Sequence, residues 1–143
     1  MLKLMLVFLG GGLGSVARFG IGQLVARFTP TDLEPRHWLD LYPLATMLIN
    51  LIGCAIIGGA WAWAIARGQQ SSPAMVFLVV GVLGGFTTFS SFGWETIELL
   101  QNQRIGMATV YVLMSLTLGL LGVLGGYTIG TAAFAVGGTG TPT

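Results

Sequence analysis

Charge is scarce in this chain: six Lys and Arg and five Asp and Glu stand among 143 residues, 8% in all. A soluble globular domain carries about 25%, so that class is excluded first. Histidine and cysteine are sparser still, one of each. His37 lies in a polar stretch with no second His and no Cys at ligand spacing, which leaves a zinc site without donors. Cys54 sits among apolar residues, where a small buried side chain explains it better than redox or metal chemistry. No apolar stretch holds a His to serve as base, and none holds a metal-ligand pair, so an enzyme is not expected. Neither an organic cofactor nor a nucleic-acid partner is expected.

Apolar residues are what the chain has in plenty: 54% is hydrophobic and the mean hydropathy is +0.84. A membrane-crossing helix needs about 20 mainly apolar residues. A charge at its centre costs roughly 2.5 to 3.5 kcal/mol on insertion scales. Four runs satisfy both conditions: Leu4–Phe28, interrupted by Arg18 and Arg27; Leu41–Ala66, bounded by Asp40 and Arg67; Pro73–Leu100, with Glu95 near its end; and Ile105 to about Ile129. The expected fold is all-α and integral to the membrane, with four transmembrane helices over about 2–28, 41–67, 73–101 and 104–129 in one domain, 1–130. The opening run has no arginine-rich start and no small-residue cleavage site before its glycines, so it reads as a retained helix and not a signal peptide. Pro30 and Pro35 stop helix propagation in the first loop, Thr29 to Asp40. The uncharged Gly- and Thr-rich tail, 131–143, is expected to be disordered.

An even number of spans puts both termini on one side. Lys3 and Arg67 flank that side, while Arg27, Arg36 and Arg104 flank the other. Two against three gives insertion little bias. Two readings fit equally: a mixture of orientations, which permits an antiparallel dimer, or one orientation set by the first helix.

The sharpest local anomaly is Gly84-Gly85-Phe86-Thr87-Thr88-Phe89-Ser90-Ser91-Phe92-Gly93, near the middle of the third run. Paired glycines followed by hydroxyl residues weaken a helix where lipid offers the backbone no other partner, so a break there must be covered by protein or line a cavity. The third helix is therefore expected to be broken near mid-membrane. Such a break frees carbonyls for a cation and turns a helix N-terminus toward an anion. Phe89 and Phe92, three apart, share a face beyond it. Their ring edges are positive and can meet an anion; core or lipid packing explains them too. Thr46, Asn50 and Cys54 recur at steps of four on the second helix, and Tyr111 and Ser115 do so on the fourth. The Asn50 amide serves equally as interhelical glue or as a donor to a passing anion. Gly10-Gly11-Gly12-Leu13-Gly14, Gly81/Gly85 and Gly122/Gly126/Gly130 suit close helix approach, not a nucleotide loop, which needs a strand before it. Arg18, one turn past Gly14, either snorkels to the interface or lends a pore mouth a positive field.

These residues resemble the Fluc (CrcB-like) fluoride channels of microbial membranes. The likeness rests on Gly11-Gly12-Leu13-Gly14-Ser15-Val16-Ala17-Arg18, on Asn50-Leu51-Ile52-Gly53 with Gly58, and above all on Gly84 to Phe92; it covers nearly the whole chain up to the tail. It implies a multi-pass protein of the cell (inner) membrane that exports fluoride passively. It further implies an antiparallel, dual-topology homodimer with two pores and a central structural sodium ion. Carried over residue by residue, Gly84 and Thr87 look like the carbonyl donors to sodium, and Phe89 and Phe92 like pore-lining aromatics. Asn50 matches the pore asparagine, Arg18 the vestibule arginine, and Tyr111 and Ser115 polar positions of the fourth helix. Thr46 shares the pore-facing stripe, and Glu95 stands where the family has an acid. The chain departs from the family at Ser91, commonly Thr; at Ser15, commonly Ala; at Cys54-Ala55, commonly Ser-Phe; and at Gly119, often a hydroxyl residue.

Two other classes compete. A proton-coupled small multidrug exporter needs an intramembrane carboxylate to titrate, and the first two helices hold none, leaving Glu95 and Glu98. A non-transporting assembly subunit would need only the glycine-lined helices, and leaves the clustered hydroxyls and phenylalanines of the third helix unexplained.

Overall fold

The computed structural model describes residues 1–28 and 42–135; the first loop with His37 and Arg36, and residues 136–143, lie outside them. The described residues are helical, with no strand, and hold four helices long and apolar enough to cross a membrane. The first span is Leu2–Arg27 and the second Tyr42–Ala66. The third has a leading half over 73–86 and a trailing half, Phe89–Gln101. The fourth, Ile105–Ala135, continues past the expected end near 129. The hydroxyls of Thr128 and Thr131 donate back to the carbonyls of Gly125 and Thr128 at 3.0 and 2.9 Å, removing two polar groups from competition with the helix, and Ala132, Ala133 and Phe134 then extend it.

The short connections are closed by local chemistry. Beyond the second span Gly68 takes φ +63°, and the amides of Gly68 and Gln69 donate to the carbonyls of Ile65 and Ala64, the paired pattern that ends a helix on a left-handed residue. The third span ends the same way on Gln103, at φ 57°, with Gln103 and Arg104 donating to Leu100 and Leu99. Ser72 starts the third span by accepting from the Met75 amide at 3.3 Å, with Pro73 in the first turn, where its missing N–H costs nothing. Val76–Leu83 then winds as a π-helix.

The spans pair through glycine. The first lies along the leading half of the third, and the second along the fourth. A Cβ on Gly14 would stand 2.0 Å from the Val82 carbonyl oxygen, and one on Gly126 would stand 2.0 Å from that of Ala55. Backbone therefore meets backbone at both seams, which suits lipid, where dispersion and not water exclusion holds helices together. Small residues also admit larger ones elsewhere: Ala60 and Ala64 pack with Met75, and Ala108 with Leu99 and Tyr111. The first span buries little besides Gly10 and Gly14, and leaves Leu4, Phe8, Leu13, Val16 and Phe19 bare. Such a surface belongs against lipid or a second protein.

Candidate functional site: a charge-free cavity beside an extended pair

Between the two halves of the third span, Thr87 (φ −78°, ψ 158°) and Thr88 (φ −148°, ψ 115°) are extended. Thr88 is buried and all its polar groups are engaged. Its amide donates to Asn50 Oδ1 at 2.8 Å, and its carbonyl accepts from Asn50 Nδ2 at 3.0 Å. Its hydroxyl accepts from the Ser91 amide at 3.1 Å, capping the trailing half, and donates to Ser91 Oγ at 3.0 Å. The Ser90 hydroxyl lies 3.2 Å away. Because the Thr88 N–H points to Asn50, it does not close a helical turn on the carbonyl of Gly84, four residues back. The Thr87 hydroxyl folds onto the Leu83 carbonyl at 2.9 Å.

This pair borders a cavity of about 490 Å³ between the second, third and fourth spans, reaching Asn50, Gly84, Thr87, Phe89, Phe92 and Ser115. No charged residue lines it. The Ser115 hydroxyl is buried without a hydrogen-bond partner, the only such side-chain atom among the described residues. Phe89 is 81% exposed on the single chain. Its ring centre stands 5.6 Å from that of Phe92, and Phe92 rests tilted at 5.3 Å on Tyr111.

Tyr111 and Thr46 stand behind this wall, not on it. Each donates at 2.6 Å to a different oxygen of Glu95, which is 7% exposed. A carboxylate needs several donors when taken out of water, and two hydroxyls from neighbouring spans supply them here. Six of the ten candidates thus share one cavity and three form the adjoining cluster. Arg18 is partly buried on the first span, which contributes nothing to the cavity wall.

Sequence reasoning passed over Thr88, although a hydroxyl residue just before a helix start is an N-cap signal. It assigned Cys54 to packing; its side chain also borders the cavity, beside Gly119, where an added Cβ would lie 3.6 Å from the thiol sulfur. Among the described residues no three His, Cys, Asp or Glu side chains come together, and backbone carbonyls are the other oxygens that could meet a cation. The Gly84 carbonyl, deprived of the Thr88 N–H, and the Thr87 carbonyl on extended backbone are of that kind.

Four apolar helices, three of them lining a charge-free cavity, define a multi-pass membrane protein. The chain belongs to the CrcB-like protein, Camphor Resistance (CrcB) family, which matches residues 5–127. Three similar proteins each bear the name Fluoride-specific ion channel FluC. That of Methylobacillus flagellatus is 42% identical over 121 residues, 85% of this chain and 88% of its own. Those of Paracoccus denitrificans and Thermus thermophilus are each 41% identical, covering 90% and 91% of this chain and 94% and 96% of theirs.

Proposed function

We infer that the chain is a fluoride channel subunit of the cell (inner) membrane, passing fluoride down its gradient through the cavity beside Thr87 and Thr88. The observation that carries this is a charge-free cavity between apolar helices, lined by Asn50, Phe89, Phe92 and Ser115 beside the extended Thr87 and Thr88. Fluoride is compact and strongly hydrated, so its path must replace water with small donors. Ser115 offers one, and Asn50 offers a second: one amide hydrogen binds the Thr88 carbonyl and the other remains. Phe89 and Phe92 add positive ring edges, with Phe92 steadied by Tyr111. Without a cation in the wall the anion is not trapped.

The working unit is an antiparallel homodimer with two pores, its extended pairs lying near mid-membrane. The bare apolar face of the first span and the exposed Phe89 support a second copy as cover. The carbonyls of Gly84 and Thr87 would hold a structural sodium ion. When bound, it supplies a fixed positive charge that offsets carbonyl dipoles otherwise left unpaired in the membrane. Arg18 serves the vestibule, outside the narrow part.

The test is fluoride efflux from liposomes holding the purified protein, read with a fluoride electrode. Rapid efflux in symmetrical pH fits a channel. Efflux that appears only with an imposed pH gradient favours a proton-coupled exporter, and no efflux sinks the reading.

A further inference from the structure

Asn50 was assigned above to the anion path, yet in the fold its amide is spent chiefly on backbone. We propose that Asn50 is a positioning residue that latches Thr88 in extended conformation and thereby keeps the Gly84 carbonyl out of the helix. The amide mimics a peptide group: Oδ1 accepts from the Thr88 N–H and Nδ2 donates to the Thr88 carbonyl, at 2.8 and 3.0 Å. Two-point pairing of this kind is what one strand offers another, here supplied by a side chain on the second span.

Withdrawing that pair has a definite structural consequence. A buried peptide group away from water must find a partner. With Asn50 truncated, the partner that helical register offers the Thr88 N–H is the Gly84 carbonyl, four residues back, and bonding it restores helix through Thr87 and Thr88. The Thr88 hydroxyl cap on Ser91 alone does not prevent this, since a capping residue's backbone can be drawn into a longer helix. Asn50 therefore acts on the path through Thr88, in addition to any donor role of its free amide hydrogen. Its link to sodium rests on the function proposed above: a carbonyl taken back by the helix is lost to the cation.

The chain contains one Thr-Thr pair, Thr87-Thr88, so threonine labelled with carbonyl 13C and amide 15N reports that single peptide bond. In the full-length protein in lipid, wild type should give an extended-type Thr87 carbonyl shift, and Asn50→Ala should move it toward the helical value. An unchanged shift in the folded variant overturns the latch. Should Asn50→Ala fail to fold, Asn50→Asp, which keeps the acceptor and loses the donor, should give an intermediate shift, and a wild-type shift there equally overturns it.

Thermal unfolding in sodium and in N-methylglucamine is the second measurement. Asn50→Ala should need at least tenfold more sodium for the stabilisation seen in wild type. Lost flux with unaltered sodium response, in a variant whose carbonyl shift has not moved, returns Asn50 to the role of a simple pore donor. A wild type indifferent to sodium removes the cation reading alone, and the carbonyl shift still decides the latch.

Discussion

The phenol of Tyr111 on the fourth span donates to the carboxylate of Glu95 on the third at 2.6 Å, with both residues 7% exposed. Thr46 on the second span engages the other oxygen, so one carboxylate fastens three spans beside the ring of Phe92. Removing Glu95 strands two buried hydroxyls, each at a cost of about 1–3 kcal/mol. Glu95→Ala should therefore lose roughly 2–6 kcal/mol of stability and lower the thermal midpoint. Glu95→Gln keeps an acceptor for Thr46 and offers Tyr111 a donor its phenol can accept from, so it should lose less than about 1 kcal/mol. Equal damage from both variants would mean that the charge matters and not the hydrogen bonds.

Ser115 gives the opposite combination. Its hydroxyl is buried beside Tyr111 without a well-formed hydrogen bond, so Ser115→Ala should change thermal stability by no more than about 1 kcal/mol. If the hydroxyl hydrates the anion, fluoride efflux should fall roughly fivefold, the equivalent of about 1 kcal/mol of lost donor. Undiminished efflux would remove Ser115 from the path.

Phe89 and Phe92 differ in what supports them, and Phe→Ile at each should separate conduction from packing. Both substitutions remove a positive ring edge while keeping apolar bulk, and both should slow efflux with the fold intact. Only Phe92→Ile also breaks the contact with Tyr111, costing about 0.5–1.5 kcal/mol. Well-folded protein with full efflux in both variants would leave Asn50 and Ser115 as the remaining candidates.

The parts legible in the sequence are those written in local pattern. Apolar run length located four helices, and four-residue glycine spacing located the seams, because each depends on one helix at a time. The Asn50 to Thr88 pairing was not legible, since it depends on the register of the second span against the third, and no spacing within either segment encodes that. For the same reason Thr46 was placed on a pore stripe, whereas the fold turns it to Glu95. The far end of the fourth helix was misjudged because Thr131 reads as polar tail until its hydroxyl is seen bonded to Thr128.

Glycine at the seams makes a sharp steric test. A Cβ at Gly14 would overlap the Val82 carbonyl, whereas at Gly12 it would meet nothing within 4 Å. Gly14→Ala should cost about 2–3 kcal/mol through forced separation of the first and third spans. Gly12→Ala, which clashes with nothing in its own chain, should leave the first and third spans in contact and cost less than Gly14→Ala. Equal thermal midpoints for the two variants would show that this seam is not tightly packed.

Orientation in the membrane can be biased without touching the fold. Gln69, Gln70 and Ser71 are exposed in the connection after the second span, so lysines there disturb no side-chain packing. All three substitutions together raise the count on the termini side to five against three. Lysines at Gln101 and Gln103, also exposed, give the opposite bias, five against two. If the working unit is antiparallel, each variant alone collects in one orientation and loses fluoride efflux from cells. Co-expressing the two supplies both orientations and restores it, which no loss of folding in either variant could produce. Full efflux from each variant alone, with its termini mapped to a single side by cysteine accessibility, would rule out the antiparallel pair.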